Sequence, residues 1–307
     1  MSAGGGTKAI VAALVANAGI AVAKFIGFLI TGSSSMLAES VHSVADTSNQ
    51  GLLLLGQKTA QRKATRLHPF GYGRDRYFWS FVVALLLFSL GSVFALYEGI
   101  HKLQHPEALT SPLVAVGILV VAIGLETYSF MTAISESKKI KGGASWWGFI
   151  RNSRTPELPV VLLEDLGALV GLVLALLGVG FSMITGNPVF DALGTICIGV
   201  LLGIIAIILI IEMKSLLIGE GASDADLDVI CDELAAGKVQ RVIHIKTQYI
   251  GPEEILVAAK IALEPQLSLD DVAQAINDAE QRVRNRVPHA RLIYLEPDLD
   301  RSTVASS

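Results

Sequence analysis

Glu39-Ser40-Val41-His42-Ser43-Val44-Ala45-Asp46-Thr47-Ser48-Asn49 lies inside an otherwise apolar run, and its reading decides what kind of chain this is. Glu39, His42, Asp46 and Asn49 follow one another at spacings of three, four and three residues. On a helix of 3.6 residues per turn, those spacings put all four side chains on one stripe. An imidazole and a carboxylate one turn apart form half of a divalent-metal site. A carboxylate at membrane depth costs about 2.5–3.5 kcal/mol on insertion scales, so such a group points by default to an ion or proton path. A seam of interhelical hydrogen bonds is the plainer alternative, but two acids and an imidazole exceed what packing requires.

The sequence around this stripe supplies the membrane. The chain is 52% hydrophobic and only 17% charged, with a mean hydropathy of +0.56. Its apolar residues fall in six blocks, about 7–31, 35–57, 77–100, 111–134, 160–185 and 190–217. Each is near the roughly 20 residues a helix needs to cross a bilayer. The first block is too long, and too poor in flanking charge, for a cleaved signal peptide. The expected fold class is therefore an α-helical membrane protein with six transmembrane helices over 1–218. A charged, alternating, soluble-type domain follows over 219–298, and a disordered tail over 299–307.

Other features exclude other classes. Cys197 and Cys231 make neither a disulfide framework nor a thiolate metal site. The net charge of −4 carries no basic nucleic-acid footprint. No nucleophile–base constellation suggests an enzyme, and nothing suggests a prosthetic group. No G-x-x-x-x-G-K-[ST] stretch occurs, so transport is expected to run on a gradient. A carrier of organic cations would need an aromatic-lined pocket, whereas Tyr77, Phe78, Trp79, Trp146 and Trp147 fall at the interfaces.

Basic residues mark the cytoplasmic side. Lys58, Arg62, Lys63, Arg66, Arg74 and Arg76 follow the second block, and Lys138, Lys139, Lys141, Arg151 and Arg154 follow the fourth. The alternate loops carry Lys102 or nothing. Both termini and the soluble domain are thus expected in the cytoplasm. The lack of an evident targeting segment points to a bacterial inner (plasma) membrane.

Further polar residues interrupt the apolar blocks. Glu164 and Asp165 are adjacent in the fifth block, and helical neighbours point about 100° apart. One can face the stripe while the other pairs elsewhere; alternatively both suit the positive end of a helix that starts near Pro159. Asn17 reads as part of a hydrogen-bonding seam, Lys24 as a snorkelling lysine, and Asp191 as a helix cap. Glu126, near mid-helix, reads as a proton-handling group or a partner for Lys24. The loop Leu67-His68-Pro69-Phe70-Gly71-Tyr72-Gly73-Arg74-Asp75-Arg76 reads as a tight turn. Its charges are expected to reach Glu212 or Glu220.

The soluble domain reads as helix 224–236, strands 242–249 and 255–263, helix 268–286 opened by a Ser268-x-x-Asp271 box, and strand 290–295. That order makes a small α+β sheet with helices on one face and a natural two-fold dimer surface.

With these residues in place, the chain resembles the cation diffusion facilitators, which exchange divalent metals for protons. The resemblance rests on His42-x-x-x-Asp46, the His68-Pro-x-Gly-Tyr-Gly-x-x-Arg76 loop, the acidic fifth block and the tail. It is strongest to the branch that contains the mitochondrial zinc exporter and its bacterial relatives. It implies a six-helix cation-efflux domain, a ferredoxin-like cytoplasmic domain and a homodimer through that domain and the membrane helices. It also implies metal ligands at His42, Asp46 and Asp165, which would double as the proton-coupling groups. The family's fourth ligand position falls on Val161, so Glu164, Glu39, Asn49 or water would complete the shell. A site with fewer imidazoles and more oxygens admits manganese, iron(II) or cobalt beside zinc. The tail has only His244 and His289, and Tyr294 stands where a ligand histidine would be, so a tail dimer without the usual zinc cluster is expected. A membrane metal sensor that does not transport is the rival reading.

Overall fold

The computed structural model describes residues 18–106 and 111–299. The start of the first expected span, with Asn17, and residues 300–307 of the expected disordered tail lie outside the described residues. In chain order the helices are α1 (Ala18–Thr31), α2 (Ser34–Ala60), α3 (Asp75–Gln104), α4 (Pro112–Lys141), the short α5 (Trp146–Asn152), α6 (Glu157–Thr185) and α7 (Val189–Ile218). Then come α8 (Asp224–Leu234), β1 (Val239–Gly251), β2 (Glu254–Leu263), α9 (Leu269–Arg286) and β3 (Leu292–Pro297). The chain packs as two units. One takes the chain to Thr59 together with Asp75–Lys214; the other takes Ala60–Arg74 and the chain from Ser215.

In the first unit, α3, α4, α6 and α7 are each long and apolar enough to cross a membrane. At 1.5 Å per residue, the 27-residue α2 is about 40 Å long, but its buried polar stripe keeps its hydropathy below theirs. Local signals set the ends. Gly32 turns the chain between α1 and α2 at φ +64°, and Gly186 ends α6 at φ +69°, in the left-handed region that glycine adopts without strain. Pro112 opens α4, where its missing N–H goes unneeded. The helices α6 and α7 meet at Gly178 and Gly194, where an added Cβ would lie 3.0 and 3.1 Å from backbone oxygens of the opposite helix. Small residues at such contacts let backbones approach in a membrane.

Asp191, expected as a cap of its own helix, caps a different one. Its carboxylate accepts from Ser33 Oγ at 2.8 Å, and from the Ser34 backbone N–H and hydroxyl at 2.9 and 3.0 Å. All three residues are buried. The start of α2 is thereby tied to the start of α7, with Ser35 and Thr195 completing the cluster. The helix α3 holds a feature that periodicity does not reveal: from Leu87 to Val93 it widens into π-helical turns, a device frequent at functional sites. There Ser92 Oγ donates to the Gly199 carbonyl of α7 at 2.7 Å.

The second unit is built as the sequence reading expects, α-β-β-α-β. Its sheet order is β1-β2-β3, with β1 antiparallel to β2 and β3 parallel to β2. Ile230 and Leu234 of α8, and Ala279 and Val283 of α9, bury one sheet face with Val257 and Ile261. The 60–74 loop belongs to this unit: a Cβ on Gly73 would come within 2.8 Å of the Ile250 carbonyl at the β1–β2 turn. Within the loop, His68 packs on Tyr72, with ring centroids 4.7 Å apart.

The Ser268–Asp271 capping box forms at the start of α9. Lys238 Nζ also bonds Asp271 Oδ1 at 2.6 Å. These bonds, that from Lys238 foremost and then those from Ser268, pull the Asp271 carboxyl from its ordinary 3.8 down to about 2. A depressed carboxyl stabilises the fold above its unfolded pKa and loses that contribution as pH falls through the folded value. Stability from this cap is therefore full above pH about 4 and vanishes below about 2. In the full chain, Asp271→Ala is expected to speed amide exchange in the first turn of α9 at neutral pH, and unchanged exchange would refute the role.

Candidate cation site

The stripe on α2 is buried as one unit. Glu39 and Asn49 are 0% exposed, His42 1% and Asp46 9%. Each is satisfied differently, and that separates their roles.

Glu39 is neutralised from α1. Lys24 is 0% exposed, and its ammonium lies 3.2 Å from Glu39 Oε2 while donating to Ser43 Oγ at 2.8 Å. It does not snorkel; the expected surface lysine is the counter-ion of the stripe. Gly171 of α6 makes room for Glu39, since a Cβ there would lie 2.6 Å from Glu39 Oε1. Glu39, read from sequence as a candidate ligand, thus has one oxygen engaged by a built-in cation.

His42 and Asp46 are left open. His42 Nδ1 and Asp46 Oδ1 lie 3.5 Å apart, and neither atom has a hydrogen-bond partner; nor has His42 Nε2. Buried polar atoms are almost always hydrogen-bonded, and one left unpaired costs about 1–3 kcal/mol. A neutral imidazole offers one lone-pair nitrogen and one N–H, so His42 and Asp46 Oδ1 give one nitrogen and one oxygen, on adjacent turns, free to take a ligand. Gly91, in the π-helical stretch of α3, faces this ring: a methyl there would sit 3.9 Å from His42 Nδ1 and 3.2 Å from Leu202.

On α6 the adjacent acids diverge. Glu164 is 4% exposed; its Oε1 accepts from Asn49 Nδ2 at 2.6 Å, and its carboxyl lies beside that of Asp46. Asp165 turns the other way and accepts from Ser129 Oγ of α4 at 3.0 Å. The resemblance singles out Asp165, whereas the α6 acid that meets α2 here is Glu164. The roughly 100° between helical neighbours is the reason. Two ionised carboxylates in contact repel, and a cation or shared proton between Asp46 and Glu164 removes the conflict. Among the described residues no three His, Cys, Asp or Glu side chains converge as a closed metal cage; the stripe is an open set of donors.

Other expectations find these places. Glu126 of α4 lines a crevice with Ile20, Ser43 and Asp46. Arg76 forms a bidentate pair with Glu157 at the start of α6, at 2.5 and 2.9 Å, a partner the sequence reading did not name. Sequence reasoning missed Ser129, although it stands three residues after Glu126 on the same face of α4.

Residues 10–218 match the family model of the cation efflux transmembrane domain. A mouse (Mus musculus) protein named "Proton-coupled zinc antiporter SLC30A9, mitochondrial" is 32% identical over 257 residues, which cover 83% of this chain and 45% of that one. Metal tolerance protein C4 of Arabidopsis thaliana is 32% identical over 267 residues, covering 85% of this chain and 58% of its own. Magnetosome protein MamB of Magnetospirillum gryphiswaldense is 25% identical over 271 residues, covering 87% and 85%. The chain spans about half the length of the first two relatives.

Proposed function

Because the chain belongs to the cation efflux family, we propose that it exports a divalent metal, zinc foremost, from the cytoplasm in exchange for protons. The observation that carries this reading is the buried pair His42 and Asp46, whose ring nitrogens and Oδ1 lack hydrogen-bond partners, with Glu164 of α6 beside Asp46. An imidazole and carboxylates suit zinc, and the zinc antiporter among the relatives points the same way.

Metal binding requires deprotonated ligands and releases protons. Cytoplasmic metal would displace protons from His42, Asp46 and an α6 acid, Glu164 or Asp165. Rocking of the helices would expose the site on the far side, where protons return and expel the ion. In this reading α1 and α2 span with the four apolar helices, the membrane is a bacterial inner membrane, and both termini are cytoplasmic. The tail sheet pairs two copies as a ferredoxin-like dimer module, with the membrane helices adding to the contact.

One observation favours a second cargo. The stripe offers one imidazole against the oxygens of Asp46, Glu164 and Asn49, and oxygen-rich sets admit manganese or iron(II). Proteoliposomes carrying a pH dye, offered zinc, manganese, iron(II), cobalt and cadmium, decide both matters. Metal uptake with opposite proton movement, lost in His42→Ala, is the expected result. Specific binding without flux of any of these ions would instead favour a sensor.

A further inference from the structure

We propose that the crevice between α1, α2 and α4 is a docking position for the cargo cation, reached before the buried stripe, and that Glu126 is its outer carboxylate. The inference rests on the metal-efflux reading and adds a wall that neither α2 nor α6 supplies.

Four observations converge on it. Glu126, Asp46, Ser43 and Ile20 line one narrow crevice, so carboxylates of α4 and α2 share a single opening. Glu126 is half-buried near the middle of the apolar helix α4, and among the described residues its carboxylate has no hydrogen bond or ion pair. An ionisable group in that setting marks an ion path. Asp46, more than nine-tenths buried, lines the same crevice and carries an oxygen without a hydrogen-bond partner. Finally, Ser129 lies on the same face of α4 and holds Asp165, so this face of α4 is turned to the site.

The chemistry selects the occupant. Asp46 and Glu126 are oxygen donors that line the crevice together with Ser43, a set that suits a divalent cation. Beside Glu126 and Asp46 stand Glu39 on α2 and the adjacent acids Glu164 and Asp165 on α6. Five carboxyl groups thus share a low-dielectric region with one ammonium, Lys24, whose charge Glu39 already engages. Such a field concentrates cations and speeds their capture. The position also answers the gap at Val161: a carboxylate is brought to the cation from α4 instead of from the earlier turn of α6.

The test uses the full chain in proteoliposomes with zinc and manganese. Glu126→Gln keeps the shape and removes the charge. The expected result is a rise in KM of about tenfold, the low end of electrostatic capture effects, with kcat within about twofold of the unmutated protein. Glu126→Asp, which restores a carboxylate, is expected to recover most of that loss. A Glu126→Gln protein with an unchanged KM overturns the docking position, as does a loss confined to kcat or a loss that Asp does not repair. In those cases uptake that remains sensitive to His42→Ala leaves the efflux reading standing. If the unmutated protein moves neither metal, both readings fall together.

Discussion

Asp46→Asn is expected to lower metal affinity at least about 100-fold and bring flux to background, the largest functional effect in the chain. Even the partners that merely orient a metal's ligands are worth roughly 10–100-fold in affinity, and Asp46 is placed to be a ligand itself. It stands where three lines of the site cross. Its Oδ1 is 3.5 Å from the His42 ring and has no hydrogen bond. Its carboxyl meets Glu164 of α6. It also lines the crevice that Glu126 shares. Asparagine keeps the volume but removes the charge, leaving His42 and Glu164 with no anion between them. Binding is read by competition with a chromophoric chelator, and flux in proteoliposomes. Asp46→Asn uptake at the unmutated level would remove α2 from the cargo path.

The same geometry separates the two acids of α6. Glu164→Gln is expected to approach the Asp46→Asn loss, because it acts on the Asp46–Asn49 side of the site. Asp165→Asn, hydrogen-bonded to Ser129 in this arrangement, is expected to spare equilibrium affinity in it. An Asp165→Asn protein that transports normally would assign the α6 ligand to Glu164. An equal loss in both would mean that α6 rotates Asp165 inward during the cycle.

The stripe itself is legible in the sequence because helical spacing is a local property: residues three and four apart share a face whatever surrounds them. Hydropathy blocks reveal the long apolar helices for the same reason, and the tail order follows from alternation, helical spacing and the Ser268 box. What stays hidden is which way each face turns. Glu164 and Asp165 are equivalent candidates in one dimension, and only the packing of α6 between α2 and α4 divides them. Lys24 illustrates a different limit. A lysine in an apolar block reads as a snorkelling end, but its partner Glu39 is fifteen residues away on another helix, and no periodicity links the two. The π-helical stretch Leu87–Val93, where Ser92 bonds Gly199 and Gly91 faces His42, is likewise not marked by the period of the apolar residues.

The buried pair between α1 and α2 gives the largest expected stability effect. Lys24→Met should cost about 3–5 kcal/mol, the usual penalty for breaking a desolvated ion pair by removing one partner. Lys24 is 0% exposed and supplies both the counter-charge of Glu39 Oε2 and a hydrogen bond to Ser43. Glu39 Oε1 has no hydrogen bond, and Gly171 presses close to it, so a lone carboxylate would have no donor to turn to. Most of this loss comes from a stranded charge and not from the worth of the bond itself. The double variant Lys24→Met/Glu39→Gln, which leaves no charge stranded at Glu39, is therefore expected to recover most of it, with a coupling energy well above the few tenths typical of independent sites. Thermal midpoints of the two single variants and the double, measured in one detergent, read the cycle. Additive losses would mean that the two groups do not depend on each other. The recovery would show instead that α1 carries a resident cation holding Glu39, which leaves His42 and Asp46 as the donors of the stripe open to cargo.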